Sequence, residues 1–559
     1  MRFHVLASDY DGTLAQSGKV PVEVIDKLNA LKSGNRKLIL VTGRELPDLE
    51  KVFPENNIFD HIVAENGALL YTPSTGKEVL LSDPPDKKFI QALRDKGIKP
   101  LSVGKVIVAT WEPFQHAILE VIKSSGIERQ VIFNKGAVMI LPPGVNKATG
   151  LQTLLQQLHF SEHNVVAIGD AENDSAMMLI AECCIAVSNA LPSLKESADF
   201  VTNGDHGKGV IELADMLIEN DLAMIAEKQT KNDIVLGARK DGGEFSIKPY
   251  RNGIVLTGTS GGGKSTLTAS ITESLTQKGY QFCLIDPEGD YLELPDAVVI
   301  GNDKSISGVH EIAELLKNPK QNLVICIMSV PMQDRPQFFL DLLSAIIQCR
   351  RDYGHPHWLL IDEAHHLVPT TANSSLFEEL YNFILISFSV EAISHTVLKK
   401  TGTAMIVGQK IEEVLAQYCS VFGIKSPQKI PDMRLGEVFV YDITKGNQQI
   451  VTYKPPKQLQ QRHKRKYAFG EMGDNNFIFT GKENKLSLKA NNLAMFVHIA
   501  EGIDDDTWLY HLGRNDYADW FSAFLHDDEL MSIAKNAENK NAAESKKMIL
   551  DFIRKKYMT

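Results

Sequence analysis

No stretch of the sequence is both long and apolar enough to suggest a bilayer span. The most apolar late run, Tyr381 to Ile393, is shorter than the roughly 20 residues a spanning helix needs, and it reads as a buried helix. The first residues, Met1 to Asp11, have no basic segment, long apolar core or small-residue cleavage site. No secretion signal or membrane association is therefore expected, and the cytoplasm follows as the compartment. Cysteine is scarce. The six residues Cys183, Cys184, Cys283, Cys326, Cys349 and Cys419 lack paired metal-ligand spacing and fit reduced, buried thiols. Positive charge is in deficit, with 59 Lys and Arg against 70 Asp and Glu and a formal net charge of -11. A nucleic-acid partner would therefore need a local basic surface, because the whole-molecule field repels phosphate. Internal repeats and low-complexity tracts are missing too.

What remains is ordinary globular sequence, 43% hydrophobic and 23% charged. At 559 residues it is too long for one core, and a typical domain size of about 150 residues suggests three to four domains. From Arg2 to about Asn220, apolar strand-like runs (HVLAS, KLILVTG, HIVAEN, VVAIGD) alternate with helical periods, which predicts a parallel α/β sheet. Residues from about Ser82 to Gly144 have a different texture, two helix-like segments alternating with VIVAT and AVMILPP, and read as a small inserted α+β layer. A polar passage from about Glu219 to Ile247 marks the main boundary. GIVLTG, FCLID, LVICIMSV, WLLIDE and TAMIVG then predict a second parallel sheet up to about residue 450. The run Arg462, His463, Lys464, Arg465 and Lys466 reads as a solvated linker, with a phosphate-binding arm as the alternative. The last 90 or so residues are helix-like, with Trp508 and Trp520 read as core.

Chemistry concentrates at strand ends. Asp9-Tyr10-Asp11-Gly12-Thr13-Leu14 presents two carboxylates, one residue apart, beyond the first strand. Val41-Thr42-Gly43-Arg44 offers a hydroxyl and a backbone amide suited to phosphate oxygens, and Gly144-Val145-Asn146-Lys147 an ammonium. Gly169-Asp170-Ala171-Glu172-Asn173-Asp174 adds acids suited to completing a magnesium site with Asp9 and Asp11. A carboxylate nucleophile, a second carboxyl to shuttle a proton, a cation and a magnesium ion are what phosphoryl transfer needs.

Four such loops in this order resemble the haloacid dehalogenase (HAD) superfamily of phosphotransferases, in particular its Cof-like or IIB phosphatases, over about residues 1 to 218. The resemblance implies a Rossmann-like sheet with a small cap at about residues 82 to 144, and a small phosphorylated metabolite such as a sugar phosphate or phosphoglycolate as substrate. It also implies roles. Asp9 would be the nucleophile that becomes an aspartyl-phosphate, Asp11 the proton shuttle, and Thr42 and Lys147 the holders of phosphoryl oxygens. Asp170 and Asp174 would bind the metal with Asp9, and Asn173 would orient the fourth loop. Asn66-Gly67 resembles a loop that faces the site in these enzymes, with a plain turn as the equal alternative.

Gly258-Thr259-Ser260-Gly261-Gly262-Gly263-Lys264-Ser265-Thr266 follows a strand and opens a helix, the required context of a P-loop. Its glycine-rich backbone would cradle ATP phosphates, Lys264 would reach the β and γ groups, and Ser265 would ligate magnesium. About a hundred residues later WLLI ends in Asp362 and Glu363, suited to a magnesium shell and to activating the attacking water. Leu284 to Tyr291, Leu360 to Pro369 and Gln409, a γ-phosphate sensor position, resemble HerA/FtsK-like ATPases over about residues 235 to 450. That resemblance implies a homo-oligomer, often a ring, in which Arg350, Arg351 or Arg434 would serve as a finger.

The expected architecture is α/β: HAD phosphatase at 1–220, P-loop ATPase at 221–455, then a basic linker and helical module at 456–559. The expected function is a bifunctional hydrolase. Two alternatives stand beside it: a ring-forming DNA-translocating ATPase with a nucleic-acid-directed phosphatase, and a nucleotide-operated scaffold that regulates the phosphatase.

Overall fold

A computed structural model describes residues 1–456 and 476–558, apart from 135, 260, 428–432, 435, 524 and 526. The basic run at 462–466 and Ser260 of the P-loop lie outside the described residues.

The first sheet is built from β1 (Val5–Ser8), β2 (Lys37–Val41), β3 (His61–Ala64), β4 (Leu69–Thr72) and β5 (Lys77–Leu80). A second, four-stranded sheet then intervenes, made of β6 (Ser102–Val103), β7 (Val108–Trp111), β8 (Gln130–Asn134) and β9 (Ala137–Leu141) in the order β6-β7-β9-β8. Two helices, Lys87–Asp95 and Gln115–Ser125, pack on it, forming the inserted α+β cap. The chain returns to the first sheet with β10 (Val165–Gly169), β11 (Cys183–Ala186) and β12 (Phe200–Val201), giving the order β12-β11-β10-β1-β2-β3-β4-β5. Pairing is parallel except at β3–β4 and β4–β5. β1 is buried along its whole length, as a strand covered on both faces must be, and so reads as a continuous apolar run. Ser8 is in register with Ile168 and with Leu40, so the residues that follow all three strands emerge along one edge.

The second large sheet has eleven strands: β13 (Ile234–Arg239), β14 (Glu244–Ile247), β15 (Gly253–Gly258), β16 (Phe282–Asp286), β17 (Ala297–Ile300), β18 (Asn322–Cys326), β19 (Trp358–Ile361), β20 (Phe383–Ser387), β21 (Thr401–Val407), β22 (Glu437–Asp442) and β23 (Asn447–Tyr453). Their order is β14-β13-β23-β22-β21-β15-β20-β19-β16-β18-β17. From β21 to β17 it is parallel, but β22, β23, β13 and β14 add an antiparallel flank to the sheet expected to be wholly parallel. Part of that flank comes from the passage read as a polar boundary: 234–247 is a hairpin whose turn is closed by Asp241 accepting from the Gly243 amide. The run Tyr381 to Ile393 is also corrected. It contains no helix; its core, β20, lies between β15 and β19 at the centre of the sheet. A strand buried on both faces loses its alternating pattern and imitates a buried helix.

The two α/β units meet at a polar hub. Buried Glu182 accepts from Arg2, pairs with His163 Nδ1 at 2.6 Å, and accepts from the Tyr280 hydroxyl at 3.1 Å. Burial pushes the Glu182 carboxyl up, but His163 and Arg2 outweigh it and hold the group below the ordinary glutamate value. The His163 ring stacks on Tyr280, and its Nε2 lies 2.9 Å from the carbonyl of Lys278, the residue that ends the P-loop helix Lys264–Gln277.

From residue 476 on, the described residues form a small hairpin, β24 (Phe477–Phe479) with β25 (Leu488–Ala490), and five helices around Phe477, Phe496, Trp508, Tyr517 and Trp520. Both tryptophans are buried there, and the Trp508 indole donates to Ser545. All six cysteines are free and buried. No described helix is long and apolar enough to cross a membrane.

Two candidate active sites

At the carboxyl edge of the first sheet, the loops after β1, β2, β9 and β10 converge. Asp9 is 4% exposed and Lys147 1%. Lys147 opens the helix Lys147–Gln157, whose start is fixed by a reciprocal cap between Asn146 and Thr149. Its ammonium lies 2.5 Å from Asp9 Oδ1 and 2.6 Å from Asp174 Oδ1. The other Asp174 oxygen accepts from the amides of Asp170 and Ala171, each at 2.9 Å, which tightens the fourth loop into a cradle.

Asp9, Asp170 and Asp174 bring carboxylate oxygens within 4.8 Å of one another. Three buried acids against one ammonium leave an excess of negative charge. Burial first, then the charge of Asp174, pushes the Asp9 carboxyl up, against the pull of Lys147. Burial also disfavours the Lys147 ammonium, but Asp174 and Asp9 outweigh it and hold the group above the ordinary lysine value. A hard divalent cation suits this donor set, all oxygen and overcharged.

Thr42 is buried at the end of β2, with its hydroxyl accepting from the Arg44 amide. Asp11, grouped by sequence with the metal-binding acids, does not join the cluster. Both of its oxygens are held by Arg44 of the second loop, from Nε and Nη2, at 2.7 Å each. Asn173 donates to Asn66 at 3.3 Å, so the Asn66 loop does reach the fourth loop. A cleft of about 660 Å³ opens here, with Asp9, Asp11 and Arg44 on one wall and the cap residues Ile107, Trp111 and Met139 on the other. Arg44 was visible in the second loop, but its partner was not, since nothing local in the sequence pairs it with Asp11.

The second site lies at the carboxyl edge of the larger sheet. Gly258 ends β15 with φ +145°, and a Cβ there would lie 1.9 Å from the Val407 carbonyl oxygen, so only glycine fits. Thr259, Gly261, Gly262 and Gly263 carry the chain into the helix that starts at Lys264, with Ser265 and Thr266 in its first turn. The Lys264 ammonium caps its own loop, 2.9 Å from the Gly258 carbonyl. Asp362 is buried just beyond β19, and its oxygens, with those of Asp286 and Asp290, lie within 4.8 Å of one another. Asp286 itself accepts from the amides of residues 288 to 291, so it builds the turn after β16.

Glu363 takes a left-handed conformation (φ +41°), with Oε2 3.4 Å from His365 Nδ1. Burial, then His366 and Lys264, lowers His365 to about 4, so this ring is neutral near pH 7. Gln409 is brought to the P-loop, its amide 3.4 Å from Thr259 Oγ1, but from β21, on the side of β15 away from β19. The strand between the P-loop and the acids is β20. It ends at Ser387, 3.2 Å from His365, a position hidden in the sequence by the misread helix. Among the finger candidates, Arg350 is excluded: it is 3% exposed and donates to the carbonyls of Pro356 and Tyr381. Arg351 is paired with Glu379.

The family described as haloacid dehalogenase-like hydrolase matches residues 6–104 and 98–213, and the family described as AAA domain matches residues 248–404. The chain belongs to the haloacid dehalogenase-like hydrolases, and it carries in addition a P-loop domain of AAA type. Phosphoglycolate phosphatase 2 of Saccharolobus solfataricus is 32% identical over 223 residues, 38% of this chain and 92% of that protein. Phosphoglycolate phosphatase of Methanothermobacter thermautotrophicus is 30% identical over 217 residues, 37% of this chain and 95% of that protein. A haloacid dehalogenase-like hydrolase of Bacteroides thetaiotaomicron is 18% identical with a TM-score of 0.34, covering 38% of this chain and 99% of that one.

Proposed function

We propose that the chain is a bifunctional hydrolase, a magnesium-dependent phosphatase of a small phosphorylated metabolite fused to an ATP-hydrolysing, HerA/FtsK-like domain. Its proposed division is 1–220, 221–455 and 456–559. The carrying observation is the buried Asp9–Lys147–Asp174 triangle beside Asp170. Phosphoglycolate is the favoured substrate, since relatives named phosphoglycolate phosphatase are 30% and 32% identical over 217 and 223 residues, nearly their own full length, and a cleft of about 660 Å³ suits a small ester.

In the proposed mechanism Asp11 first leaves Arg44 and takes up a proton from solvent; an Asp9 oxygen then attacks phosphorus, and the ester oxygen leaves with that proton. Water then attacks the aspartyl-phosphate and gives a proton back to Asp11, releasing inorganic phosphate and free Asp9. Lys147 and the Thr42 hydroxyl hold phosphoryl oxygens while charge builds on them. Asp9, Asp170 and Asp174 would hold Mg²⁺, which supplies charge neutralisation of the phosphoryl group when bound. In the second unit Gly258 to Thr266 would cradle ATP, Asp362 and Ser265 would serve its magnesium, and Glu363 would orient water. Phosphate release from phosphoglycolate with magnesium, measured beside Asp9→Asn, tests this reading; equal release by both proteins refutes it.

A second reading, a nucleotide-operated scaffold acting on the phosphatase, is favoured by one observation. The end of the P-loop helix docks on His163 of the phosphatase unit. If ATP leaves the rate of phosphate release unchanged, that reading fails.

A further inference from the structure

The tripeptide Glu65-Asn66-Gly67 follows β3 at the catalytic edge of the first sheet, and Glu65 is fully buried there. Burying a carboxylate is costly unless donors replace its water. Here the donors are main-chain amides: Glu65 Oε1 accepts from Lys105 at 2.9 Å, and Oε2 from Val106 at 2.8 Å and Ile107 at 3.1 Å. These residues belong to the loop that leads into β7, so the carboxylate of the core unit holds the root of the cap. Gly104 completes the nest. A Cβ there would lie 2.9 Å from the carboxylate carbon and from both its oxygens.

The same tripeptide touches the catalytic loops. The Glu65 amide donates to the Arg44 carbonyl at 2.9 Å, and the Asn66 amide to the Thr42 carbonyl at 3.0 Å. The Asn66 side chain lies against Asn173 of the fourth loop and Met139 of the cap. Glu65 and Asn66 both hold left-handed backbone (φ +50° and +56°), a conformation uncommon for residues with side chains and kept where surrounding contacts enforce it.

We propose that Glu65 is a positioning residue, a carboxylate latch that fixes the cap over Asp9 and so sets how the substrate's leaving group is gripped. Ile107, Ala109, Thr110 and Trp111, which line the cleft, hang from the loop it holds. The assignment of a substrate to this cleft rests on the phosphatase reading above; the latch itself does not.

Glu65→Gln in the full chain is the test, because an amide keeps the volume but turns one acceptor into a donor facing N–H groups. Hydrogen exchange at the amides of residues 105–107 is expected to quicken by about a hundredfold, with exchange in the P-loop helix and ATP turnover unchanged. The KM for phosphoglycolate is expected to rise roughly tenfold, with kcat changed by less than about threefold. Unchanged exchange at 105–107 overturns the latch. Accelerated exchange with kcat and KM unchanged overturns its positioning role. If the wild-type chain releases no phosphate from phosphoglycolate, the substrate reading fails, and the same KM comparison is made with p-nitrophenyl phosphate. Should Glu65→Gln unfold the phosphatase unit, Gly104→Ala is the second variant. It crowds the carboxylate from the cap side and is expected to raise exchange and KM in the same direction, whereas wild-type values in a folded Gly104→Ala protein overturn the proposal.

Discussion

Arg44 grips Asp11 through both carboxylate oxygens, at 2.7 Å each, and pairs with Asp48 as well. In the proposed mechanism Asp11, once it has left Arg44, carries the proton to the leaving oxygen, so the guanidinium decides where that carboxyl starts from. Arg44→Ala is expected to slow phosphate release from phosphoglycolate, an alkyl ester whose leaving oxygen needs the proton, by about tenfold to a hundredfold. The p-nitrophenyl ester, whose phenolate leaves unaided, should suffer less. Comparing kcat for the two esters checks this, and equal losses would mean that Arg44 acts on the phosphoryl group instead.

Among the described residues, Lys147 supplies the ammonium that contacts Asp9 and Asp174. Lys147→Met is expected to abolish turnover by removing a phosphoryl contact, and to destabilise the unit by about 3 to 5 kcal/mol in metal-free buffer, where buried acids lose their counter-charge. Magnesium is expected to restore part of that stability, which denaturation with and without the ion would reveal.

Glu182, held by His163 and Arg2 of its own unit, reaches the second unit through the Tyr280 hydroxyl. Glu182→Ala leaves Arg2 facing an empty acceptor, and a loss of about 3 to 5 kcal/mol is expected. Urea denaturation followed separately by phosphatase and ATPase activity would show whether the units then melt apart.

Acid should act at the same junction. Burial lowers His4 to about 4, and His357 well below the ordinary histidine value. His357 Nδ1 accepts from the Gln281 amide at 2.9 Å, which requires the neutral ring. Because the unfolded histidines bind protons first, their contribution is present above about pH 6.5 and is lost as pH falls toward 4. In His4→Gln the pH slope of stability over that window is expected to be smaller by up to one proton's worth.

The parts legible in the sequence were those carried by contiguous residues. Each phosphate-handling loop is a short run at the end of an apolar strand, and the strand register then brings Asp9, Thr42 and Asp170 to one edge. Other features depend on chain segments far apart. Glu65 meets amides about forty residues onward, and nothing near it in sequence reveals them. β20 was misread because a central strand buried on both faces carries no alternation. Arg350, offered as a finger, lies in the last turn of the helix Arg335–Tyr353, and its burial goes with carbonyls of Pro356 and of Tyr381, the latter about thirty residues onward.

The most direct measurement is phosphate release from phosphoglycolate with magnesium by the full chain, run beside Asp9→Asn and Lys264→Ala, with ATP turnover recorded for all three. Two independent sites require that Asp9→Asn lose ester hydrolysis and keep ATP hydrolysis, and that Lys264→Ala do the reverse. One activity vanishing in both variants, or phosphate release surviving in Asp9→Asn, would contradict a bifunctional hydrolase.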